Sequence, residues 1–135
     1  MADPMTLQLT ATHLGLRDIG SWLVQVFDHF GWRDSASVGS LELAVHELAA
    51  NVVDHAAPPD GMIRLEACEH HGELIIRLVD TGTAFEHQNY TAPEPGRIQE
   101  RGYGLMIVEQ LASSVDYQRV EQRNVWQATF PIEAP

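Results

Sequence analysis

Glu47, Asn51, Asp54 and His55 are spaced i, i+4, i+7 and i+8, so a helix would set all four on one face. A glutamate placed there can take a proton as a general base. An asparagine one turn later is a neutral oxygen ligand suited to a hard cation such as Mg2+. The same pattern also fits a plain solvated helix face. His46-Glu47 opens the H-E-x-x-H pattern of zinc proteases, but the second histidine position holds Ala50, which removes that chemistry.

Two further segments could hold a ligand. In Leu78-Val79-Asp80-Thr81-Gly82 an apolar run delivers Asp80 at its end, and Gly82 allows a sharp turn. A carboxylate there can accept hydrogen bonds from an exocyclic amine such as that of adenine, although D-x-G is also common turn chemistry. Arg101-Gly102-Tyr103-Gly104-Leu105 opens a helical pattern. Its glycines allow close backbone approach, and a helix start offers free N–H groups and a positive dipole end to phosphate. The pattern is neither a Walker A motif nor the dinucleotide G-x-G-x-x-G.

The elements that must position these residues follow from periodicity. Leu7, Leu9 and Ala11 alternate with polar neighbours over residues 6–12, predicting a strand. Leu16, Ile19, Leu23, Val26, Phe27 and Phe30 lie at helical spacing within a helix from Leu14, with Gly31 as its stop. A second helix is predicted from about Ser40, with the stripe Leu41, Ala44, Val45, Leu48 and Val52, and Pro58-Pro59-Asp60-Gly61 ends it. Strands with Ile63, Leu65, Ala67 and with Leu74, Ile76, Leu78 flank a turn at His70-His71-Gly72. Residues 81–102 carry little periodicity, and loops of that length tend to be functional lids. A third helix over 105–113 and two strands near 115–120 and 125–131, with a turn at Gln122-Arg123-Asn124, complete the chain. Strands and helices cluster rather than alternate, so the fold class is α+β: two layers, a mixed, mostly antiparallel sheet with helices on one face.

Composition narrows the partners. Against 8 Lys+Arg stand 19 Asp+Glu, a net charge of −11, which argues against direct binding to nucleic acid or an anionic membrane. Such a charge suits a basic protein surface or a site whose cation is a metal. The single cysteine, Cys68, allows no intrachain disulfide and no Cys-rich zinc site. No apolar run approaches the roughly 20 residues of a membrane helix, and the N-terminus lacks the features of a signal peptide. A cytoplasmic setting is expected.

Taken in order, a helix with E-x-x-x-N, a strand ending in D-x-G, a lid, then G-x-G-L and a helix, the sequence resembles the GHKL ATPases of the Bergerat fold. Within them it is most similar to the small anti-sigma-factor serine/threonine kinases of the RsbW type. Residues 41–56 look like that family's N box, Val79 to Phe85 like its adenine-binding segment, and Glu100 to Ile107 like the end of its ATP lid. The likeness runs from about Thr6 to Ile132 and implies a single HATPase_c-like domain, residues 1–135, with a lid at about 81–102.

The resemblance implies roles. Asn51 would bind the Mg2+ that bridges the ATP phosphates, and Glu47 would be the general base for an attacking hydroxyl. Asp80 would bond the adenine amino group, and Gly82 would let the base sit close. Gly102, Gly104 and Leu105 would hold phosphate at the helix start, Arg101 would reach the terminal phosphate, and Thr129 would stand near adenine. His55 is expected to be a packing residue. The implied activity is phosphoryl transfer from ATP·Mg to an anti-anti-sigma protein of the STAS type, with a sigma factor as a further partner and a homodimer as the assembly. Leu14 to Phe30, with Trp22 and Trp32, could supply the dimer face. The alternatives are an ATP-binding sequestration module without transfer, or an upstream switch kinase. Residues 86–100 depart from the family in holding one basic residue, Arg97, against Glu86, Glu94 and Glu100.

Overall fold

Three segments, 62–70, 73–80 and 123–131, are buried on alternate residues, and with two more exposed segments they are the strands of one sheet. The computed structural model describes residues 3–33, 35, 37–85 and 103–132. In chain order these are β1 (Met5–Thr10), a 3-10 turn (Gly15–Asp18), α1 (Ile19–His29), α2 (Val38–His55), β2 (Met62–His70), β3 (Glu73–Asp80), α3 (Tyr103–Leu111), β4 (Ser114–Val120) and β5 (Arg123–Pro131). The sheet order is β1-β2-β3-β5-β4. The α+β two-layer class stands as expected. One detail differs: all four strand pairs are antiparallel, so the sheet is not mixed.

One face of the sheet carries Leu9, Ile63, Leu65, Ala67, Leu74, Ile76, Leu78, Trp126, Ala128 and Phe130, all buried. The helices cover it with Leu23, Val26 and Phe27 of α1, Leu41, Val45, Leu48 and Val52 of α2, and Leu105 and Val108 of α3. Each large side chain fully buried here is worth roughly 1.5–3 kcal/mol over exposure. Trp22, a candidate for a dimer contact, is 4% exposed and belongs to this core.

The first helix begins tighter than its periodicity suggests. Leu16 and Ile19 are both buried three residues apart, which suits the three-residue period of the 3-10 turn that precedes α1. α2 is an amphipathic helix whose end is set by Ala57, at φ 44°, followed by two prolines. Among the described residues no helix is long and apolar enough to cross a membrane.

Both hairpins turn in two residues with left-handed backbone: His71 (φ 51°) and Gly72 (φ 81°), and Glu121 (φ 49°) and Gln122 (φ 68°). Two positive φ angles in a two-residue loop define the turn whose twist matches the strands. The second turn therefore sits one to two residues earlier than the sequence suggested, and Arg123 and Asn124 belong to β5. Glu121 and Gln122 hold a conformation that costs a side-chain-bearing residue about 1–2 kcal/mol. Replacing them by Asn and Gly should raise stability by about 0.5–1 kcal/mol per position. A urea titration checks this; an unchanged or lower midpoint would mean the turn is of another kind.

Candidate functional site

The end of β3 is the natural place to begin. Period-2 alternation continues from Ile76 and Leu78 to Asp80, so Asp80 points to the helix-covered face and is 2% exposed. Its Oδ1 accepts hydrogen bonds from the Gly82 backbone N–H at 2.7 Å and from Asn124 Nδ2 at 3.0 Å. Its Oδ2 is buried and has no partner among the described residues. A buried polar atom left unpaired costs about 1–3 kcal/mol, so this oxygen has room for a donor that the described residues do not supply.

Asn124 lies directly opposite Asp80 in the β3–β5 register and is 1% exposed. Besides Asp80, its Nδ2 donates to the Thr83 carbonyl at 2.8 Å. Its Oδ1 accepts from the Tyr117 hydroxyl and from Arg119 Nη1, the latter at 3.0 Å. Arg119 is the register partner of Asn124 on β4, so Arg119, Asn124 and Asp80 form one row across three strands. The same Nη1 donates to the Gly82 carbonyl at 2.6 Å. Above the row, Phe85 packs edge-on against Tyr117 and Trp126 at 5.6 and 5.0 Å, and its N–H donates to the Tyr117 oxygen at 2.8 Å.

α2 reaches this row with its carboxyl end. Thr83 N–H donates to the Ala56 carbonyl at 2.7 Å, and Thr83 Oγ1 donates to the His55 carbonyl at 3.1 Å. These bonds satisfy carbonyls that a helix end leaves without partners. The approach is close: a Cβ on Gly82 would stand 2.2 Å from the Ala56 oxygen. Gly82 is thus required by the helix contact itself, apart from any ligand. Five residues back along α2, about 7–8 Å of rise, lies Asn51. It is half-buried, and its Nδ2 is buried without a partner among the described residues. Glu47, one turn further back, is also half-buried.

Other expected residues fall differently. Thr129 does not stand beside Asp80. It is five residues from Asn124, an odd number, so it faces the opposite side of the sheet, roughly 17 Å along the strand. There its carbonyl accepts from Ser113. The last strand delivers Asn124 instead. Leu105 is a core side chain at 7% exposure, so only its main chain could meet a ligand. Gly104 lies in the first turn of α3, where N–H groups lack helical partners. Arg101, Gly102 and the lid from residue 86 lie outside the described residues. His55 is exposed rather than packed, and Asp54 pairs with His13 at 2.9 Å.

Three remaining features contribute no competing chemistry. Burial, reinforced by the Glu66 carboxylate, pushes the Cys68 thiol up, away from a reactive thiolate. No group of three His, Cys, Asp or Glu side chains among the described residues could hold a metal. A cavity of about 140 Å³ is lined by Gln8, Arg64 and Arg123 and reaches Val79, Asp80 and Thr81 at the end of β3.

An antiparallel sheet covered on one face by helices, with a buried carboxylate at the end of its middle strand, matches the architecture of a GHKL-type ATPase domain. The chain belongs to the histidine kinase-like ATPase domain family, whose model matches residues 9–130. An ATPase domain of the histidine kinase-like kind is the class it shares. Among solved structures it is similar to the RsbU and RsbW domains of Rv1364c from Mycobacterium tuberculosis, at 17% identity and TM-score 0.70, covering 98% of this chain and 33% of that one. It is also similar to the histidine kinase domain of the Erythrobacter litoralis EL346 blue-light activated histidine kinase, at 15% identity and TM-score 0.53, covering 88% of this chain and 60% of that one. The chain thus spans a third and three fifths of these two structures. No curated relative matches the chain.

The Gly82 contact yields a direct test. Gly82→Ala should destabilise the protein by about 1–3 kcal/mol even without nucleotide, because Cβ and the Ala56 carbonyl must separate. Thermal melting of the ligand-free variant checks this. A wild-type midpoint would show that the glycine serves only a ligand.

Proposed function

We propose that the chain is an ATP·Mg-dependent protein kinase of the RsbW type, acting on a serine or threonine of an anti-anti-sigma protein. The observation that carries the reading is the buried Oδ2 of Asp80, which has no partner among the described residues. Its neighbour Oδ1 already takes two donors, so the carboxylate is oriented and Oδ2 faces a missing one. The 6-amino group of adenine is a donor of the right kind. Support comes from the family and from the likeness to a structure that includes an RsbW domain.

In this reading each residue has one task. Asp80 accepts from the adenine amino group. Asn51, whose amide nitrogen has no partner among the described residues, offers a carbonyl oxygen to Mg2+. A magnesium site of this kind takes few protein ligands and completes itself with phosphate oxygens and water, which fits the absence of an acidic cage among the described residues. The metal supplies charge neutralisation at the phosphates. N–H groups at Gly104 and Leu105 meet phosphate with the positive end of the α3 dipole, and Gly102 and Arg101 lie next to them in sequence. Glu47 takes the proton of the attacking hydroxyl as the phosphoryl group moves to it and ADP departs. The partner surface is basic, in keeping with the charge of −11, and homodimers are part of the proposal.

Calorimetric titration with ATP, with and without Mg2+, tests the nucleotide half. Asp80→Ala should weaken ATP binding by about tenfold or more, the loss of a hydrogen bond to a charged group. Asn51→Ala should remove the magnesium dependence. Tight binding of GTP by the wild type would refute the role given to Asp80. Transfer of labelled phosphate to STAS-type proteins tests the second half: Glu47→Ala should keep ATP binding and lose transfer by about 10²–10⁴-fold. ATP binding without transfer in the wild type would instead leave a sequestration module, a reading favoured by the single arginine among residues 86–100.

A further inference from the structure

A carboxylate can select an amino group only if it is held as an acceptor. Asp80 alone does not guarantee this, because a free carboxyl can rotate or keep a proton and then donate to a carbonyl. The surroundings decide the matter. Both bonds received by Oδ1 come from N–H groups, and one of them is the Asn124 side chain at 3.0 Å. An amide side chain could present either its nitrogen or its oxygen to Asp80. Arg119 removes that freedom: a guanidinium only donates, so the atom it meets at 3.0 Å must be Oδ1 of Asn124. With Oδ1 turned to Arg119 and Tyr117, Nδ2 must face Asp80. The carbonyls of Thr83 and Gly82, at 2.8 and 3.4 Å from Nδ2, reinforce the same orientation, because only a donor is welcome there.

We propose that Asn124, oriented by Arg119, is the specificity-determining residue of the purine site, fixing Asp80 as a pure acceptor so that the site takes 6-amino purines and rejects 6-oxo purines. The inference rests on the adenine reading of Asp80 and deepens it. Asn124 acts on the ligand through Asp80, and Arg119 acts through Asn124, so both are positioning residues. A 6-oxo purine would set its carbonyl oxygen against Oδ2, two acceptors with no proton between them. Without the donor at position 124, Asp80 is freed to turn, and the discrimination relaxes.

The test compares ATP with inosine triphosphate, which differs at purine position 6, by calorimetry on the full chain. Four proteins join the wild type: Asp80→Ala, Asn124→Leu, Arg119→Met and Arg119→Lys. Asn124→Leu keeps the size of the side chain and removes its polar atoms. It should lower the preference for ATP over inosine triphosphate by about tenfold or more, with the inosine affinity nearly unchanged. Arg119→Met, at an exposed position on the edge strand, should lower the preference by a smaller factor. Arg119→Lys, which keeps a donor to Oδ1, should restore it. A merely structural role would weaken both nucleotides in parallel and leave the ratio alone. If the wild type does not bind ATP, or if Asp80→Ala binds it equally well, the adenine reading falls and this inference with it. If Asp80→Ala loses the preference while Asn124→Leu and Arg119→Met keep the wild-type ratio, the inference falls alone. Should Asn124→Leu fail to fold, the pair of Arg119 variants decides.

Discussion

The contact between the carboxyl end of α2 and the turn after β3 is the constraint on which the site depends. A helix ends with carbonyls that need donors, and a turn leaves N–H groups that need acceptors. Here the two needs meet at Ala56 and Thr83. The meeting is possible because Gly82 has no side chain to stand in the way. It ties the carboxyl end of the helix that carries Glu47 and Asn51 to the turn that follows Asp80, two distant parts of the sequence. Without it, helix and strand would still pack through their apolar faces, but their polar residues would have no fixed relation.

On the strand side the fixing is electrostatic. One row across β4, β5 and β3 runs from a guanidinium through an amide to a carboxylate. Each group holds the next in a single sense of donation, and such chains strengthen one another in a buried setting. The Tyr117 hydroxyl ties the row to Phe85, and the aromatic packing of Phe85, Tyr117 and Trp126 closes it from above. The row ends on Oδ2 of Asp80, which has no partner among the described residues. A fold seldom leaves such an atom without a use, because it costs stability in the empty state.

Much of this was legible in the residues. Helical spacing in α2 and alternation in β2 and β3 placed Glu47, Asn51 and Asp80 on the correct elements, because each stripe is long and has one buried face. Asn124 was missed for a specific reason. A hairpin turn made of Glu121 and Gln122 carries no glycine or asparagine, so the usual signal slid onto the next asparagine and read it as a turn residue. The parity of Trp126, Ala128 and Phe130 could have recovered it, since extending that face backwards arrives at residue 124. The same parity excludes Thr129. His55 was misjudged because a helical stripe does not say which residue touches the core where the helix is ending.

The antiparallel topology has a consequence for how the molecule comes into being. The β2–β3 and β4–β5 hairpins close loops of two residues, while the contacts that build the site join Ala56 to Thr83 and Asp80 to Asn124, 27 and 44 residues apart. Contacts of long separation carry the larger loop-closure entropy and complete late in folding. The arrangement around Asp80 is therefore a property of the finished molecule alone. A chain caught with its hairpins formed and its helices unsettled holds every residue of the site and none of its recognition, so nucleotide capture doubles as a readout of completed folding.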